Sequence, residues 1–272
     1  MQKDFLLIGA SGYLGQQAAK RLGDRAVTTH CSAPQFAGSL PYDFYQDEKL
    51  PIDPAGMTVI FTAAVEMNQP ADKLTTSMRR LLGQLAANRF LYLSSDAIFS
   101  GERGHYTEAD RPDPVNDYGR NLLLCERLVE AMTPDHCIIR PSYIYGFSNG
   151  QLDMRLSRTR DRLLRGEQMV LYDDYYKCPL SVHEVADGVI HLAQSAYQGP
   201  IHLAGLRMSA YAFQQRAMNA LGVDTTQLSA QPMPTNAGLM RDTSLDSSRW
   251  WRMRAAQPLA IKDALQIERE EG

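Results

Sequence analysis

The N-terminal segment of the chain combines a short apolar run, a glycine-rich turn and a helix-like stretch, and it constrains the fold more than any other feature. The apolar run is Phe5–Ile8, the turn is Gly9-Ala-Ser-Gly12-Tyr-Leu-Gly15, and the helix-like stretch continues to Leu22. Glycines in a strand-to-helix turn let a ligand approach the backbone, and a helix N-terminus attracts an anion such as a pyrophosphate. The pattern predicts a first βα unit that binds a dinucleotide; a plain strand-to-helix turn is the alternative.

The rest of the 272-residue chain alternates short apolar runs with helix-like segments. This alternation is typical of repeated βα units and predicts an α/β fold, a Rossmann-like doubly wound parallel sheet. The predicted strands are Phe5–Ile8, Ala26–Thr29, a run around Tyr42–Phe44, Thr58–Thr62, Phe90–Leu93 and His136–Arg140. The predicted helices are Gly12–Leu22, Ala71–Ala87, Asp117–Met132, Leu152–Leu164, His183–Ala196, Ala210–Leu221 and Leu259–Glu268.

The strands become short and sparse after about Gly146, while helices persist. We therefore expect residues 1–146 to form the dinucleotide-binding core. Residues 147–272 are expected to be a mixed segment, mainly a small C-terminal α/β substrate-binding lobe with parts that return to the core.

Composition excludes several classes of function. The net charge is −3 and the basic residues are scattered, so no nucleic-acid partner is expected. The apolar run Phe5–Ile8 is much shorter than a signal-peptide core of ~7–15 residues or a membrane helix of ~20, so we expect a cytoplasmic protein with no membrane partner. The four cysteines lack metal-binding spacing, which predicts free thiols and no metal site; they are Cys31, Cys125, Cys137 and Cys178.

Hydroxyl groups follow the fifth predicted strand and enter the helix after it. Ser94-Ser95-Asp96 comes directly after Phe90–Leu93, and Tyr118 begins the next predicted helix. The carboxyl ends of parallel strands form the edge at which ligands bind. A serine and a tyrosine that meet there can hydrogen-bond a substrate carbonyl, with the tyrosine as general acid or base and the serine as the orienting donor.

These motifs and their order resemble the extended short-chain dehydrogenase/reductases, and more narrowly the dTDP-4-dehydrorhamnose reductase family. The resemblance includes Thr62-Ala-Ala64 at the end of the fourth strand and Ile138-Ile-Arg-Pro-Ser-Tyr-Ile-Tyr-Gly146 after the sixth. It continues through nearly the whole chain, with further landmarks at Pro179–Ala186, Gly199–Gly205, Ser209–Tyr211 and Leu245-Asp246.

The resemblance implies an NAD(P)-dependent oxidoreductase that reduces a keto group of a small molecule, such as a sugar nucleotide. Tyr118 would supply the proton, and Ser95 would steady the carbonyl oxygen. The implied cofactor-binding residues are Gly9, Ser11, Gly12, Tyr13, Leu14, Gly15, Thr62, Ala63, Ala64, Ser94, Tyr118, Pro141, Ser142 and Tyr143. The predicted substrate residues are Ser95, Asp96, Tyr118 and Arg241.

The end of the second strand bears on the choice of cofactor. An acid there would bond the ribose hydroxyls of NAD, but the chain reads Thr28-Thr-His30. NADP is therefore favoured over NAD, and His30 joins the predicted cofactor-binding residues. Asp43, near the third predicted strand, is predicted to contact the adenine; a solvated turn residue is the alternative.

The chain departs from the family at the position four residues after the tyrosine, where Leu122 replaces a lysine. The family lysine shares a helix face with the tyrosine, lowers its pKa and bonds the nicotinamide ribose. Leucine does neither, so a catalytically impaired dinucleotide-binding protein with a regulatory or scaffolding role is the alternative function. An epimerase or dehydratase is a further alternative. A homodimer and a regulatory protein partner are both left open.

Three other features have both a functional and a structural interpretation. Trp250-Trp251 could cover a ligand or pack a lobe or an oligomer contact. The run of arginines from Arg155 to Arg165 could contact a phosphate or form a solvated helix face. The loop Tyr172–Tyr176 could lie on the substrate side or be an exposed polar turn.

Overall fold

The computed structural model describes residues 3–85 and 87–267. Its strands are β1 (Phe5–Ile8), β2 (Ala26–His30), β3 (Leu40–Pro41), β4 (Thr58–Phe61), β5 (Phe90–Leu93), β6 (His136–Arg140), β7 (Ile144–Tyr145), β8 (Phe147–Ser148), β9 (Gln151–Leu152), β10 (Met169–Tyr172), β11 (Tyr176–Lys177), β12 (Leu180–Ser181), β13 (Gly199–His202), β14 (Met208–Ser209) and β15 (Leu228–Gln231). Its α-helices are α1 (Tyr13–Leu22), α2 (Ala71–Gly83), α3 (Asp117–Met132), α4 (Met154–Leu164), α5 (Val182–Ala193), α6 (Ala210–Ala220), α7 (Ser248–Arg254) and α8 (Ile261–Ala264).

The described residues form two compact units. The first takes residues up to 98, 112–140 and 186–201, and the second takes 99–111, 141–185 and those from 202 onward. The unit boundaries at 185/186 and 201/202 fall within α5 and β13. The division at residue 146 stays a prediction.

The first unit contains a seven-stranded sheet in the order β13-β6-β5-β4-β1-β2-β3, and this confirms the predicted Rossmann-like α/β fold. The strands from β1 to β6 pair in parallel, with Phe5 opposite Ala26 on one side and Thr58 on the other. β1 is buried along its whole length because helices cover both faces of such a sheet. The chain leaves β1 toward β2 and later returns on its other side as β4, so the end of β1 is the topological switch point.

The second unit consists of short strands and helices around its own apolar cluster. Its pairs are β10 with β15, β11 with β14, β7 with β12 and β8 with β9. Tyr145 and Phe213 make an edge-to-face contact in the cluster, with ring centroids 5.0 Å apart. Leu156 of α4 and Met218 of α6 are fully buried in the same cluster.

Several predicted elements have different bounds in the structure. The predicted strand around Tyr42–Phe44 is wrong: the Asp43 carboxylate accepts the N–H of Tyr45 at 2.8 Å, which bends the chain into a turn, and the short strand β3 precedes it. The helix predicted over Ala71–Ala87 ends at Gly83. The helix predicted over Leu259–Glu268 is reduced to α8, and Glu268 lies outside the described residues.

Helix α7 is absent from the sequence predictions. Within it Trp250 is buried, and the Trp251 indole donates a hydrogen bond to the Ala204 carbonyl at 2.9 Å. Both tryptophans and Ala204 belong to the second unit, so this aromatic pair packs structurally there.

The arginines of α4 are partly neutralised by local acids. Arg162 and Arg165 both pair with Glu167, and Arg155 lies over the Tyr143 ring, 4.7 Å from its centroid. All four cysteines are free thiols, and only Cys31 among them is exposed. Over residues 3–85 and 87–267, no helix is both long and apolar enough to cross a bilayer.

Candidate functional site

The glycine turn after β1 lies at the switch point of the sheet, and its first glycine has no room for a side chain. Gly9 has a φ of +92°, a conformation that L side chains rarely adopt. A Cβ at Gly9 would lie 2.6 Å from the backbone nitrogen of Ala63. Gly9 therefore allows the end of β1 to pack directly on the chain that leaves β4.

The other two glycines of the turn differ in what surrounds them. A Cβ at Gly15 would lie 2.1 Å from the Gly9 carbonyl oxygen, so Gly15 is needed for α1 to pack on the turn. Gly12 is exposed, and a Cβ there would make only an ordinary contact of 3.4 Å with the Gly9 carbonyl oxygen. Gly12 thus leaves open the space at the start of α1. The predicted cofactor residues Ser11, Tyr13 and Leu14 lie in the same turn.

The residues after β4 are tied to this turn. The Thr62 hydroxyl donates to the carbonyl oxygens of Ile8 at 3.1 Å and Gly9 at 3.3 Å. Ala63 is half-buried and Ala64 is exposed. The predicted nucleotide-lining residues therefore lie beside the glycine turn at the carboxyl edge of the sheet.

The end of β2 carries a histidine where many dinucleotide-binding folds carry an acid. The His30 Nδ1 lies 3.1 Å from the Ser39 hydroxyl, which donates to the Thr28 carbonyl at 3.2 Å. The nearby Asp43 shapes its own turn, and together with burial its charge raises the pKa of the Cys31 thiol. The last side chain of β2 is therefore a histidine and not an acid.

The hydroxyls after β5 have different environments. Ser94 is buried, and its hydroxyl has no hydrogen-bond partner in the part of the chain that the structure describes. Ser95 is half-buried; its hydroxyl donates to the Asp96 carboxylate at 3.0 Å and accepts the N–H of Ala97 at 3.3 Å. Asp96 itself is buried. Its carboxylate orients the hydroxyl of Ser95.

Tyr118 lies in the first turn of α3, where the helix packs tightly against the segment that follows β5. The Asn116 side chain caps the helix by accepting the N–H of Gly119 at 2.8 Å. A Cβ on Gly119 would lie only 2.1 Å from the Ala97 carbonyl oxygen. The backbone next to Tyr118 is therefore packed against the segment that begins two residues after Ser95, and the roles of the two residues stay predictions.

Leu122 lies one turn into α3 and is 1% exposed. Its neighbour Asn121 is also buried, and its amide donates to the carbonyl oxygens of Glu66 and Gln69, both at 3.0 Å. Asn121 therefore binds α3 to the loop that follows Ala64. Neither side chain brings a positive charge to this face of the helix.

Glu66 is a residue of this region that sequence reasoning missed. Its side chain is 2% exposed and accepts the Tyr92 hydroxyl of β5 at 2.5 Å. Burial raises the pKa of the Glu66 carboxyl to about 7, and the hydrogen bond from Tyr92 only partly opposes this rise. The available signal was a single acid two residues after Thr62-Ala-Ala64.

The remaining predicted residues belong to the second unit. Pro141 is buried, and the Ser142 hydroxyl accepts the N–H of Cys178 at 3.1 Å. The Tyr143 hydroxyl donates to Asp153 at 2.8 Å. Arg241 forms an ion pair with Asp174 and donates to the Met233 carbonyl at 2.9 Å. Their roles toward cofactor and substrate stay predictions.

The first unit fits a dinucleotide on two structural observations. Among the described residues, no side chain caps the start of α1 and no acid lies in its first turn, and Gly12 at this start has no side chain of its own. The buried Ser94 hydroxyl lacks a protein partner in the same described region and can bond a ligand. A helix N-terminus of this kind favours a pyrophosphate.

Comparison with known proteins gives matches along the chain. The RmlD substrate binding domain model matches residues 3–267. The probable low-salt glycan biosynthesis reductase Agl14 of Haloferax volcanii is 28% identical over 148 residues, 53% of this chain and 49% of that protein. The methionine adenosyltransferase 2 subunit beta of Danio rerio is 25% identical over 179 residues, 62% of this chain and 55% of that protein. The chain thus matches about half the length of these curated relatives.

Solved structures share the fold over the full chain. The dTDP-4-dehydrorhamnose reductase of Bacillus anthracis, in complex with NADP, has a TM-score of 0.77 and 18% identity and covers 100% of both chains. MoeE5, in complex with UDP-glucuronic acid and NAD, has a TM-score of 0.76 and 22% identity and covers 96% of both chains. The match over residues 3–267 shows that the chain belongs to the RmlD substrate binding domain family.

Proposed function

We propose that the protein is an NAD(P)-dependent reductase of a keto group carried by a sugar nucleotide or a related small molecule. The observation that supports the proposal is the packing of Gly119 on Ala97, next to Tyr118 on α3 and two residues after Ser95. Membership of the RmlD family supports the reaction class.

The cofactor would be held by the first unit. Gly9, Gly12 and Gly15 would form the cradle for the pyrophosphate, with Thr62–Ala64 and Ser94 lining the nucleotide beside it. A bound reduced nicotinamide would supply the hydride. NADP is the favoured form, because β2 ends in His30 rather than in an acid that would repel a 2′-phosphate.

Tyr118 and Ser95 would act on the carbonyl oxygen. Tyr118 would deliver a proton as the oxygen gains negative charge, and the Ser95 hydroxyl would donate a hydrogen bond to the same oxygen. The Ser95 hydroxyl has a single proton, which it donates to the Asp96 carboxylate at 3.0 Å, so it would turn from that carboxylate to the carbonyl oxygen when substrate binds. The buried Leu122 carries no charge and cannot lower the pKa of Tyr118 as a lysine at that position would, so we expect slow turnover.

A turnover assay tests the proposal. Purified protein with NADPH or NADH is mixed with a panel of keto sugar nucleotides, and coenzyme oxidation is followed by absorbance. We expect oxidation with at least one substrate, and a loss of about 10²-fold or more in Tyr118→Phe. Tyr197→Phe, a tyrosine of the first unit whose hydroxyl bonds the Pro200 carbonyl, is the matched control and keeps the rate. Coenzyme binding without oxidation of any substrate would contradict the reductase.

One observation favours a second function, a dinucleotide-binding protein with a regulatory or scaffolding role. Leu122 is buried at the position where the family resemblance places a lysine. The chain is also similar to a protein named as a subunit, the methionine adenosyltransferase 2 subunit beta, which is a parallel for a role beside a protein partner. Under this alternative, Tyr118→Phe leaves coenzyme affinity and partner binding unchanged.

A further inference from the structure

Glu66 stands at the junction of the elements that would hold the cofactor. Its loop begins at Thr62, which bonds the glycine turn, and Val65 within it accepts the Tyr45 hydroxyl at 2.5 Å. The Glu66 carbonyl accepts the Asn121 amide of α3, and its carboxyl accepts the Tyr92 hydroxyl of β5. One residue thus connects the loop lining the nucleotide, the central sheet and the helix that carries Tyr118.

The groups that face the Glu66 carboxyl are neutral at physiological pH. Burial raises the pKa of Tyr92 on β5, of Cys125 on α3 and of Tyr45 further above their ordinary values, so none of them ionises near pH 7. Lys73 of α2 lies over the Tyr45 ring, 4.6 Å from its centroid. Glu66 is the group of this cluster that can change charge near neutrality.

We propose that Glu66 is a positioning residue for the bound dinucleotide: its neutral carboxyl keeps the loop after β4 packed between β5 and α3, and its ionisation opposes binding of the anionic cofactor. The inference rests on the proposed function, since it requires a dinucleotide in the glycine cradle. It assigns to Glu66 a role in cofactor affinity and none in proton delivery to the substrate.

The sign of the effect follows from electrostatics. The pyrophosphate would lie beside Ala63 and Ala64, and an ionised Glu66 a few residues away in a low-dielectric interior repels it. Bound cofactor therefore raises the pKa of Glu66, and affinity falls as pH rises through neutrality. A difference of one pKa unit between free and bound protein changes the affinity tenfold, so we expect a three- to tenfold loss between pH 6 and pH 8.

Calorimetric titration with NADH at pH 6 and pH 8 tests the inference. NADH is the probe because a 2′-phosphate would itself titrate near pH 6. Glu66→Gln keeps the shape and the acceptor for Tyr92 but cannot ionise, so its affinity should change less than twofold over this range. Tyr92→Phe removes the donor that favours the ionised carboxyl, so its loss of affinity should begin at higher pH than in the wild type.

The comparison variant is His30→Gln, which changes the last side chain of β2 and leaves Glu66 in place. The affinity of this variant for NADH should fall between pH 6 and pH 8 as much as that of the wild type, because Glu66 is still present. If the affinity of Glu66→Gln for NADH still falls with pH as in the wild type, the inference is overturned and the proposed function is left intact. The same holds if the pH dependence of the affinity is lost in His30→Gln alone. Failure of wild-type protein to bind either NADH or NADPH at any pH overturns the proposed function and the inference together.

Discussion

Gly119 packs directly on Ala97: a Cβ on Gly119 would stand 2.1 Å from the Ala97 carbonyl oxygen and 2.9 Å from the Cβ of Pro114. The contact joins the start of α3 to the short helical turn Asp96–Ile98. Since Ser95 and Tyr118 flank the two partners, their spacing depends on backbone contact rather than on a flexible side chain. A side chain at position 119 would therefore have to push α3 away from this turn.

Gly119→Ala should destabilise the fold by about 3 kcal/mol, because the clash is with backbone that cannot move aside cheaply. It should also displace Tyr118 and lower turnover. Gly83→Ala at the end of α2 is the matched control, since a Cβ there meets nothing within 4 Å, and it should stabilise by up to about 1 kcal/mol. Urea unfolding measures both; equal effects of the two variants would contradict the packing role of Gly119.

The glycine turn predicts opposite outcomes for two neighbouring variants. Gly12→Ala should cost less than about 1 kcal/mol of stability, because its φ of −73° suits alanine, yet weaken coenzyme binding tenfold or more. Gly15→Ala should unfold or strongly destabilise the protein, because its Cβ would overlap the Gly9 carbonyl oxygen. Thermal unfolding and calorimetry separate the two. A Gly12→Ala protein that binds coenzyme as tightly as the wild type would contradict the proposal that the glycine turn holds the pyrophosphate.

Glu66 makes stability depend on pH. Its folded pKa of about 7 lies above the ordinary value of 4.5, so the folded state holds a proton that the unfolded chain has released. The resulting stability is fully present below pH 4.5 and is lost as pH rises through 7. Relative to the wild type, Glu66→Gln should gain about 3 kcal/mol between pH 4.5 and pH 8, measured by urea unfolding without coenzyme. A stability difference that stays constant with pH would show that the carboxyl does not titrate in this range.

Leu122→Lys should not create an efficient enzyme. A lysine there enters a site 1% exposed, so we expect a loss of about 3 kcal/mol or more in stability. Leu122→Met is the control of similar volume and should cost less than about 1.5 kcal/mol. Denaturant midpoints of the two variants give the comparison. A Leu122→Lys protein as stable as Leu122→Met, with faster turnover, would mean that the space can accept the ammonium group.

The parts of the molecule that the sequence predicts well are those specified locally. β1, β5 and β6 are short strands with apolar centres, almost entirely buried in the sheet, and their predicted bounds match the structure. The bounds of α3 match as well, because Asn116 provides a capping signal at its start. The glycine turn and the positions of Ser95 and Tyr118 likewise follow from residues close to them in sequence.

The parts that the sequence misses depend on tertiary contacts. In the sequence, Glu66 cannot be told from an acid in an exposed loop. Its burial depends on tertiary packing, in which Tyr92 and Asn121 bind to it. Around Asp43, apolar neighbours favour a strand by pattern, but the Asp43 carboxylate competes for the N–H of Tyr45 and forms a turn. The burial of Leu122 could not be read from a single helical position either.

Calorimetric titration of the wild-type protein with NADPH and with NADH tests the central claim, that the first unit binds a dinucleotide through its glycine turn. We expect one site per chain with a Kd below about 1 mM, and NADPH bound at least as tightly as NADH. Absence of measurable binding by both coenzymes would contradict the claim.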